Sequence, residues 1–146
     1  MDLSFHIVRV GKLLAFLDSD LFRHSRVLPI SPQRAWSQAH NPRAQPDDVA
    51  LLMVVVDGQV LAYLGAMAEV FHLAGGPQRV GWLTCLWVSP ELRGQGVATR
   101  LLAAMTEHWG GLTILTEFAP ATRNMYERSG VFRETEALLG DRKSVV

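Results

Sequence analysis

The residues best suited to chemistry lie in one short run, Arg93-Gly94-Gln95-Gly96-Val97-Ala98-Thr99, shortly after an apolar segment that ends at Pro90. Gly94 and Gly96 lack a Cβ atom, so a ligand can approach the backbone closely there. A helix is expected to begin at the end of this run, and its first N–H groups and positive dipole end favour an anion, above all a pyrophosphate. Arg93 adds a fixed positive charge with several donors. The run therefore predicts a pyrophosphate-binding loop.

Two common nucleotide-binding motifs do not fit this run. A Walker loop needs Gly-Lys-Ser/Thr, and the chain contains no such sequence. A dinucleotide-binding fingerprint needs a third glycine where Thr99 stands, and it belongs to a first βαβ unit rather than to a run of hairpins. For a Gly-x-Gly turn taken alone, a plain strand-to-helix connection remains the alternative.

The elements before the loop are predicted from apolar periodicity and from turn residues. Asp57-Gly58 suits a type I′ hairpin turn, and Ala74-Gly75-Gly76-Pro77 suits the turn after it. Ser31 and Pro32 suit the first residues of a short helix. The elements expected here are a strand at Phe5–Val10, helices at Lys12–His24 and Pro32–Trp36, and strands at Val49–Val56, Gln59–His72 and Val80–Val88.

After the loop, the period changes to that of a helix, from Val97 to Trp109, which ends at Gly110-Gly111. A strand at Leu112–Ala119, a helix from Pro120 to Gly130 and a strand at Phe132–Leu139 are then expected. Hairpins followed by crossovers indicate an α+β fold of three layers, in which helices flank a mixed, mostly antiparallel sheet.

Composition excludes several classes of protein. The 146 residues are 49% hydrophobic and 19% charged, which predicts one folded domain over residues 1–146 rather than a disordered chain. Because 14 Lys and Arg balance 14 Asp and Glu, nucleic-acid binding is disfavoured. One cysteine and five histidines without metal-type spacing predict no metal site. No apolar run of about 18 residues and no signal peptide is found, so we expect a cytoplasmic protein without membrane partners.

With its flanks, the loop resembles the GNAT superfamily of N-acetyltransferases. Arg93 to Ala98 matches the pattern Arg/Gln-x-x-Gly-x-Gly/Ala, and Tyr126-Glu127-Arg128-Ser129-Gly130-Val131-Phe132 resembles Tyr-x-x-x-Gly-Phe with one extra residue before the phenylalanine. The resemblance covers roughly residues 49 to 139, and the order of elements agrees. It implies the GNAT acyl-CoA N-acyltransferase fold, whose sheet is splayed at the cofactor strand.

The resemblance implies acetyl-CoA as co-substrate and a direct transfer of its acetyl group to an amine of a small molecule or peptide. The backbone from Gly94 to Thr99 would cradle the pyrophosphate together with Arg93. Leu86 and Val88 lie on the strand along which the pantetheine arm would run. An N–H group of one of these two residues is expected to polarise the thioester carbonyl.

The resemblance also implies a general acid, Tyr126, which would protonate the departing thiolate; packing of its helix is the alternative. Glu117 and Glu69 are the two main candidates for the general base, and His72 is a third residue that could reach the cleft. Some members of the family need no dedicated base. Cys85 lies in an apolar strand, so we expect a small core residue rather than a nucleophile.

Two alternatives to an enzyme stay open: a non-catalytic acyl-CoA-binding module of a larger protein, and a structural domain that reuses the fold. The residues Gly140 to Val146 bear on the first. Either the last strand is very short, or a neighbouring subunit of a homodimer supplies it, or the chain is the N-terminal piece of a longer protein.

Overall fold

The computed structural model describes residues 4–115 and, beyond them, the strand residues 133–134 and 144–145. The strands are β1 (His6–Arg9), β2 (Val49–Val56), β3 (Gln59–Leu73), β4 (Gly76–Val88), β5 (Thr113–Leu115), β6 (Arg133–Glu134) and β7 (Ser144–Val145). The helices in the described part of the chain are α1 (Leu13–Leu17), α2 (Asp20–His24), α3 (Pro32–Ala39) and α4 (Val97–His108). Within these residues the strands form one sheet in the order β1-β2-β3-β4-β5-β7-β6, with β4 and β5 parallel and the other neighbours antiparallel.

The sheet is covered on both faces, which confirms the expected three layers. One face packs against α4 through a core that includes Leu52, Leu64, Leu101, Leu102 and Met105, all of them fully buried. The other face packs against α1 and α3 through a second core, in which Leu13, Ala35, Leu51 and Met53 are fully buried. Because strand residues alternate between faces, β2 contributes to both cores and is almost entirely apolar.

The first hairpin agrees with the expectation from sequence. Asp57 and Gly58 have φ angles of 50° and 74°, and they join Val56 to its cross-strand partner Gln59. Positive φ at both central positions defines the type I′ turn. The twist of such a turn matches that of the flanking strands, so the pairing next to the turn follows from these two residues. A register shift between Val54 and Val55 then moves the rest of the ladder by one residue.

The predicted helix at Lys12–His24 is wrong as a single element. The chain instead forms α1 and α2, separated at Ser19, whose extended backbone cannot continue a helix. Ser19 Oγ donates to the Phe16 carbonyl at 2.6 Å and accepts the Phe22 N–H at 3.2 Å. One serine therefore ends the first helix and caps the second.

The predicted start of the third meander strand at Val80 is also wrong, since β4 begins four residues earlier. Gly76 pairs with Leu73, and Pro77 pairs with His72. The turn is therefore only Ala74-Gly75. Pairing with the long strand β3 outweighs the weak strand propensity of glycine and proline in this segment.

The parallel pairing of β4 with β5 is short among the described residues. The ladder between them joins Gly81 to Thr113 and Trp82 to Ile114, and the rest of β4 has no partner among the described residues of β5. Ser144–Val145 pairs with both β5 and β6. The helix predicted at Pro120–Gly130 lies outside the described residues.

Candidate active site

The loop after β4 is shaped by its own hydrogen bonds. Pro90–Leu92 forms a 3-10 turn in which the Leu92 N–H donates to the Ser89 carbonyl at 3.0 Å, and the Leu92 side chain is buried in the core under α4. Gln95 Nε2 donates to the Glu91 carbonyl at 3.1 Å. The buried Leu92 side chain therefore anchors the start of the loop, and the Gln95–Glu91 hydrogen bond stabilises its middle.

Two glycines lead the chain from this loop into α4. Gly94 and Gly96 have φ angles of 79° and 75°, a region that residues with a side chain rarely adopt. A Cβ atom at either position would meet no atom within 4 Å. Glycine is required at these positions by the positive φ angles and not by packing inside the protein. The space beside the two residues is open to a ligand.

The first turn of α4 presents backbone donors that no side chain caps. Gly96 is the N-cap residue and has no side chain, and the first helical hydrogen bond runs from the Arg100 N–H to the Gly96 carbonyl at 3.1 Å. The three N–H groups before Arg100 have no acceptor within the helix. They adjoin a cavity of about 480 Å³ lined by Val88, Leu92, Arg93, Gly94, Gly96, Val97, Ala98 and Thr99. With the positive end of the helix dipole, these donors favour an anion.

Backbone groups at the end of β4 point away from β3. The Ser89 N–H donates to the Leu61 carbonyl of β3 at 2.8 Å. Because the N–H groups of a strand alternate between its two edges, those of Leu86 and Val88 point to the other edge, the one on the side of β5. The Val88 carbonyl lies on that same edge and accepts from Arg93 Nε at 3.0 Å. Arg93 therefore lies at the end of this edge of β4.

Most of the residues predicted to bind the cofactor lie together around this cavity. Gln95 is one exception, because its side chain bonds to the Glu91 carbonyl of the loop. Leu86 is the other; it precedes the cavity residue Val88 by two positions in β4 and lies outside the cavity. Leu92 lines the cavity and was missed from the sequence. Its signal was a lone apolar residue between Glu91 and Arg93 in an otherwise polar turn.

A second group of side chains surrounds a β-bulge on the face of β4 that is turned toward α3. The register shift puts Thr84 and Cys85 opposite a single residue of β3. Arg34 Nη1 of α3 lies 3.0 Å from Cys85 Sγ. Tyr63 of β3 and Trp87 of β4 stack with ring centroids 5.7 Å apart. We call Arg34, Tyr63, Cys85 and Trp87 the bulge cluster.

Cys85 is exposed, so the expectation of a core residue is wrong. The extra residue in the bulge interrupts the alternation of faces, which turns Cys85 out of the sheet. Burial raises the pKa of the Tyr63 phenol above its ordinary value, and the nearby Cys85 thiol raises it further, while the Arg34 guanidinium acts in the opposite direction. Tyr63 therefore stays protonated at neutral pH and is available as a hydrogen-bond donor.

Glu69, one of the two candidate bases, lies away from the bulge. Its carboxylate is 3.2 Å from Arg43 Nε and accepts the Val70 N–H at 3.0 Å. It is four residues along β3 from Gly65, the residue opposite the bulge, a span of about 13 Å at the rise of a strand. Tyr126 and Glu117 lie outside the described residues, so their roles stay predictions.

Two further searches of the described residues complete the description of the molecule. No three or more His, Cys, Asp or Glu side chains among residues 4–115 lie close enough together to hold a metal ion. No helix in that part of the chain is long and apolar enough to span a membrane.

Comparison with known proteins gives a family match by sequence and several matches by structure. The sequence profile of the acetyltransferase (GNAT) family matches residues 14–131. No curated protein matches the chain at a significant level. The matching segment contains the loop, α4 and Tyr126.

Among similar solved structures, a predicted acetyltransferase from Clostridium acetobutylicum with acetyl-CoA has a TM-score of 0.62 at 18% identity, and the alignment covers 94% of each chain. Glucosamine-6-phosphate N-acetyltransferase from Arabidopsis thaliana has a TM-score of 0.58 at 16% identity, over 89% of this chain and 91% of that one. Arabidopsis thaliana Naa50 in complex with the bisubstrate analogue CoA-Ac-MVNAL has a TM-score of 0.56 at 12% identity, over 99% and 96%.

At these identities the structural likeness shows a shared fold, and the profile match carries the family assignment, because it extends over well more than half of the chain. Both agree with the mixed sheet flanked by helices and with the glycine loop before α4. The chain belongs to the GNAT family of acetyltransferases.

Proposed function

We propose that this protein transfers the acetyl group of acetyl-CoA to a primary amine by direct attack. The observation that carries the proposal is the uncapped first turn of α4, which faces a cavity of about 480 Å³ behind Gly94 and Gly96. The family match and a similar structure that contains acetyl-CoA support the same co-substrate.

The described residues fit such a ligand in two parts. The backbone N–H groups of Val97, Ala98 and Thr99 would hold the pyrophosphate, and Arg93 would add charge at the edge of the loop. The N–H groups of Leu86 and Val88 would bind the amide-containing arm along this edge of β4. Both contacts use backbone donors at a strand or helix end that have no backbone partner among the described residues.

In the reaction that we propose, the amine nitrogen bonds to the acetyl carbonyl carbon, the carbon–sulfur bond breaks, and the products are an N-acetyl amine and CoA thiol. A β4 N–H group at Leu86 would stabilise the developing oxyanion. Tyr126 would donate the proton that the leaving sulfur takes up, and the tyrosine would regain one from solvent.

For the base that takes the proton from the attacking amine, we favour Glu117 over Glu69. Glu117 follows the end of β5 by two residues in sequence. Glu69 is engaged by Arg43 and lies about 13 Å along β3 from the bulge. The acceptor would be an amine of a small molecule or a peptide. One similar structure is a glucosamine-6-phosphate N-acetyltransferase, and another is a complex with the bisubstrate analogue CoA-Ac-MVNAL.

The chain has two tyrosines, which makes a matched test of the general acid possible. We expect Tyr126→Phe to lower kcat by about 10²–10⁴ with little change in the KM for acetyl-CoA, because only the hydroxyl that acts in the transition state is lost. Tyr63→Phe, which removes the other phenolic hydroxyl, should lower kcat less than about tenfold. Release of CoA thiol is measured with a panel of polyamines, aminoglycosides, amino acids and peptide N-termini.

Three outcomes of that experiment contradict part of the proposal. A large fall for Tyr63→Phe alone would move the acid role to Tyr63. Wild-type transfer by Tyr126→Phe would make Tyr126 a packing residue. Binding of acetyl-CoA with thioester hydrolysis but no transfer to any amine would favour an acyl-CoA-binding module instead.

A further inference from the structure

The bulge cluster is a charged and aromatic surface that is separate from the loop Arg93–Thr99, which we call the cofactor loop after its proposed role. It lies on the opposite face of β4 from α4, next to the backbone where the acetyl group is placed under the proposed function. What it can bind follows from the charge of Arg34, the rings beside it and the cavity that adjoins them.

Arg34 is held over the bulge by the way α3 is anchored. Ser31 Oγ accepts the Arg34 N–H at 3.1 Å, and the buried residues Ala35 and Gln38 fix the inner face of the helix against the sheet. The guanidinium then reaches across to Cys85 Sγ at 3.0 Å. Its position is therefore set by the fold rather than by a flexible side chain alone.

The positive charge of Arg34 is not neutralised by the residues that the structure describes. Its guanidinium has Cys85 as its contact, and no carboxylate within residues 4–115 pairs with it. The Glu69 carboxylate, about 13 Å away along β3, pairs instead with Arg43 at 3.2 Å. A guanidinium with a single thiol contact has several donors left, in a planar arrangement that suits the two oxygens of a carboxylate.

A cavity of about 420 Å³ adjoins the cluster through Trp87, which belongs to both. Val27, Leu61 and Trp87 line it as half-buried apolar side chains, and its three charged residues, Arg26, Asp57 and Glu91, are exposed. Trp87 follows Cys85 by two residues, about 7 Å along the strand. An occupant that fills this cavity can therefore also reach the bulge.

One polar atom on this cavity has no partner. Ser89 lines the cavity and is 3% exposed, and its Oγ makes no hydrogen bond within the described residues. A buried hydroxyl of this kind normally has a partner. This hydroxyl has almost no accessible surface, so it lies beneath the cavity wall. The wall itself combines apolar side chains with several polar ones, which is the pattern of a small-molecule site.

We propose that the acceptor is a small apolar amino acid or a close analogue, whose acidic group binds Arg34 and whose side chain enters the cavity beside Trp87. The inference rests on the proposed function and adds the class of acceptor. A polycationic acceptor is disfavoured, because it would place positive charge next to Arg34. The same positive charge favours the neutral form of the amine, which is the form that attacks.

The test compares acids with their neutral counterparts. L-phenylalanine, L-leucine and L-methionine are each assayed beside the corresponding amide, and the aminophosphonate analogue of phenylalanine distinguishes a phosphonate from a carboxylate as the preferred acidic group. With the wild-type protein, kcat/KM should be at least about tenfold higher for the acid than for the amide, which corresponds to about 1.4 kcal/mol.

Variants of Arg34 assign that preference to the guanidinium. Arg34→Gln should raise the KM for the acids at least about tenfold and remove the preference, while Arg34→Lys should restore part of it. The KM for acetyl-CoA should stay within about twofold in both. Arg23→Gln is the matched control. Arg23 is also an exposed helix arginine, in α2, but it already pairs with Asp18 at 3.6 Å.

Direct binding separates this inference from the proposed function. Calorimetry with L-phenylalanine should show binding that Arg34→Gln weakens and Arg23→Gln does not. If acids bind in this way but no amine is acetylated, the acceptor site stands and the proposed function fails. If other amines are acetylated while acids and amides behave alike, the inference is overturned and the proposed function stands. If acids neither bind nor react, the inference is likewise overturned.

Discussion

The cofactor loop and the bulge cluster lie on opposite faces of the same end of β4, and they are built in different ways. The loop presents backbone donors from consecutive residues at the start of α4. The bulge cluster brings together side chains from α3, β3 and β4, and its central contact joins Arg34 to Cys85, 51 residues apart in the chain. A site made of backbone depends on conformation, whereas a site made of side chains depends on the identity of each residue.

This difference separates what the two regions are expected to do. Backbone donors at a helix end suit the pyrophosphate that every CoA thioester carries. Side chains that converge from three elements suit selection among acceptors, because each can be exchanged without changing the fold. Substitutions in one region should therefore leave the ligand of the other largely unaffected.

The largest effect is expected from Gly96→Val. A β-branched residue would disfavour the φ of 75° and put a side chain into the open space before α4, so the Kd for CoA should rise at least about tenfold, or about 1.4 kcal/mol. Gly58→Val is the matched control, because Gly58 has a φ of 74° and equally open surroundings but lies in the first hairpin. Calorimetry that finds the same CoA affinity in a folded Gly96→Val protein would disprove the cofactor assignment.

A smaller effect is expected from Arg93→Ala, which should weaken CoA by about threefold to tenfold but weaken pantetheine fragments without phosphate much less. The reason is that the lost group is a cation at the edge of the anion-binding cavity. Calorimetric titration with both ligands measures the difference, and Arg23→Ala controls for the loss of one surface charge. Equal losses for both ligands would mean that Arg93 acts by holding the Val88 carbonyl.

The smallest effect is expected from Tyr63→Phe, in the stability of the protein at alkaline pH. Burial and the Cys85 thiol raise the pKa of Tyr63 in the folded protein above the value of about 10 in the unfolded chain. The unfolded chain therefore loses this proton first as the pH rises, and the folded state loses stability from about pH 10 up to the folded pKa. The Tyr63→Phe variant should lose less free energy of unfolding over this pH range than the wild type. For a half-buried group the difference between the two proteins should be below about 1 kcal/mol.

Urea unfolding at about pH 8 and about pH 10.5 measures this difference. Tyr126 is present in both proteins, so its contribution to the pH dependence cancels in the comparison. An equal fall in the free energy of unfolding for wild type and Tyr63→Phe would show that the bulge cluster does not hold Tyr63 in its protonated form. That result would also weaken the distinction between the two faces of β4.

Parts of the fold follow from single residues, and those parts agree with the prediction. Asp57-Gly58 defines a turn whose geometry sets the pairing of the residues next to it. The apolar positions from Val97 to Met105 face one side, and Gly110 and Gly111, with φ of 64° and 85°, end the helix. In these segments local preference and tertiary packing act in the same direction, so either one suffices.

Other parts depend on contacts that are distant in sequence. Ser19 is compatible with a helix interior or with a cap, and the packing of α1 and α2 decides for the cap. Gly76 and Pro77 favour a turn, yet pairing with Leu73 and His72 makes them the first residues of β4. Local propensities of a few tenths of a kcal/mol do not outweigh a ladder of that length.

The sequence alone determined the conformation of the loop before α4, because its donors are consecutive backbone groups and its two glycines report directly on conformation. It did not determine which side chains surround the bulge. A bulge of one residue exchanges the faces of a strand, so the exposure of Cys85 and its contact with Arg34 depend on the register between β3 and β4. That register is set by the packing of the whole sheet, which is why only the tertiary structure decided the composition of the bulge cluster.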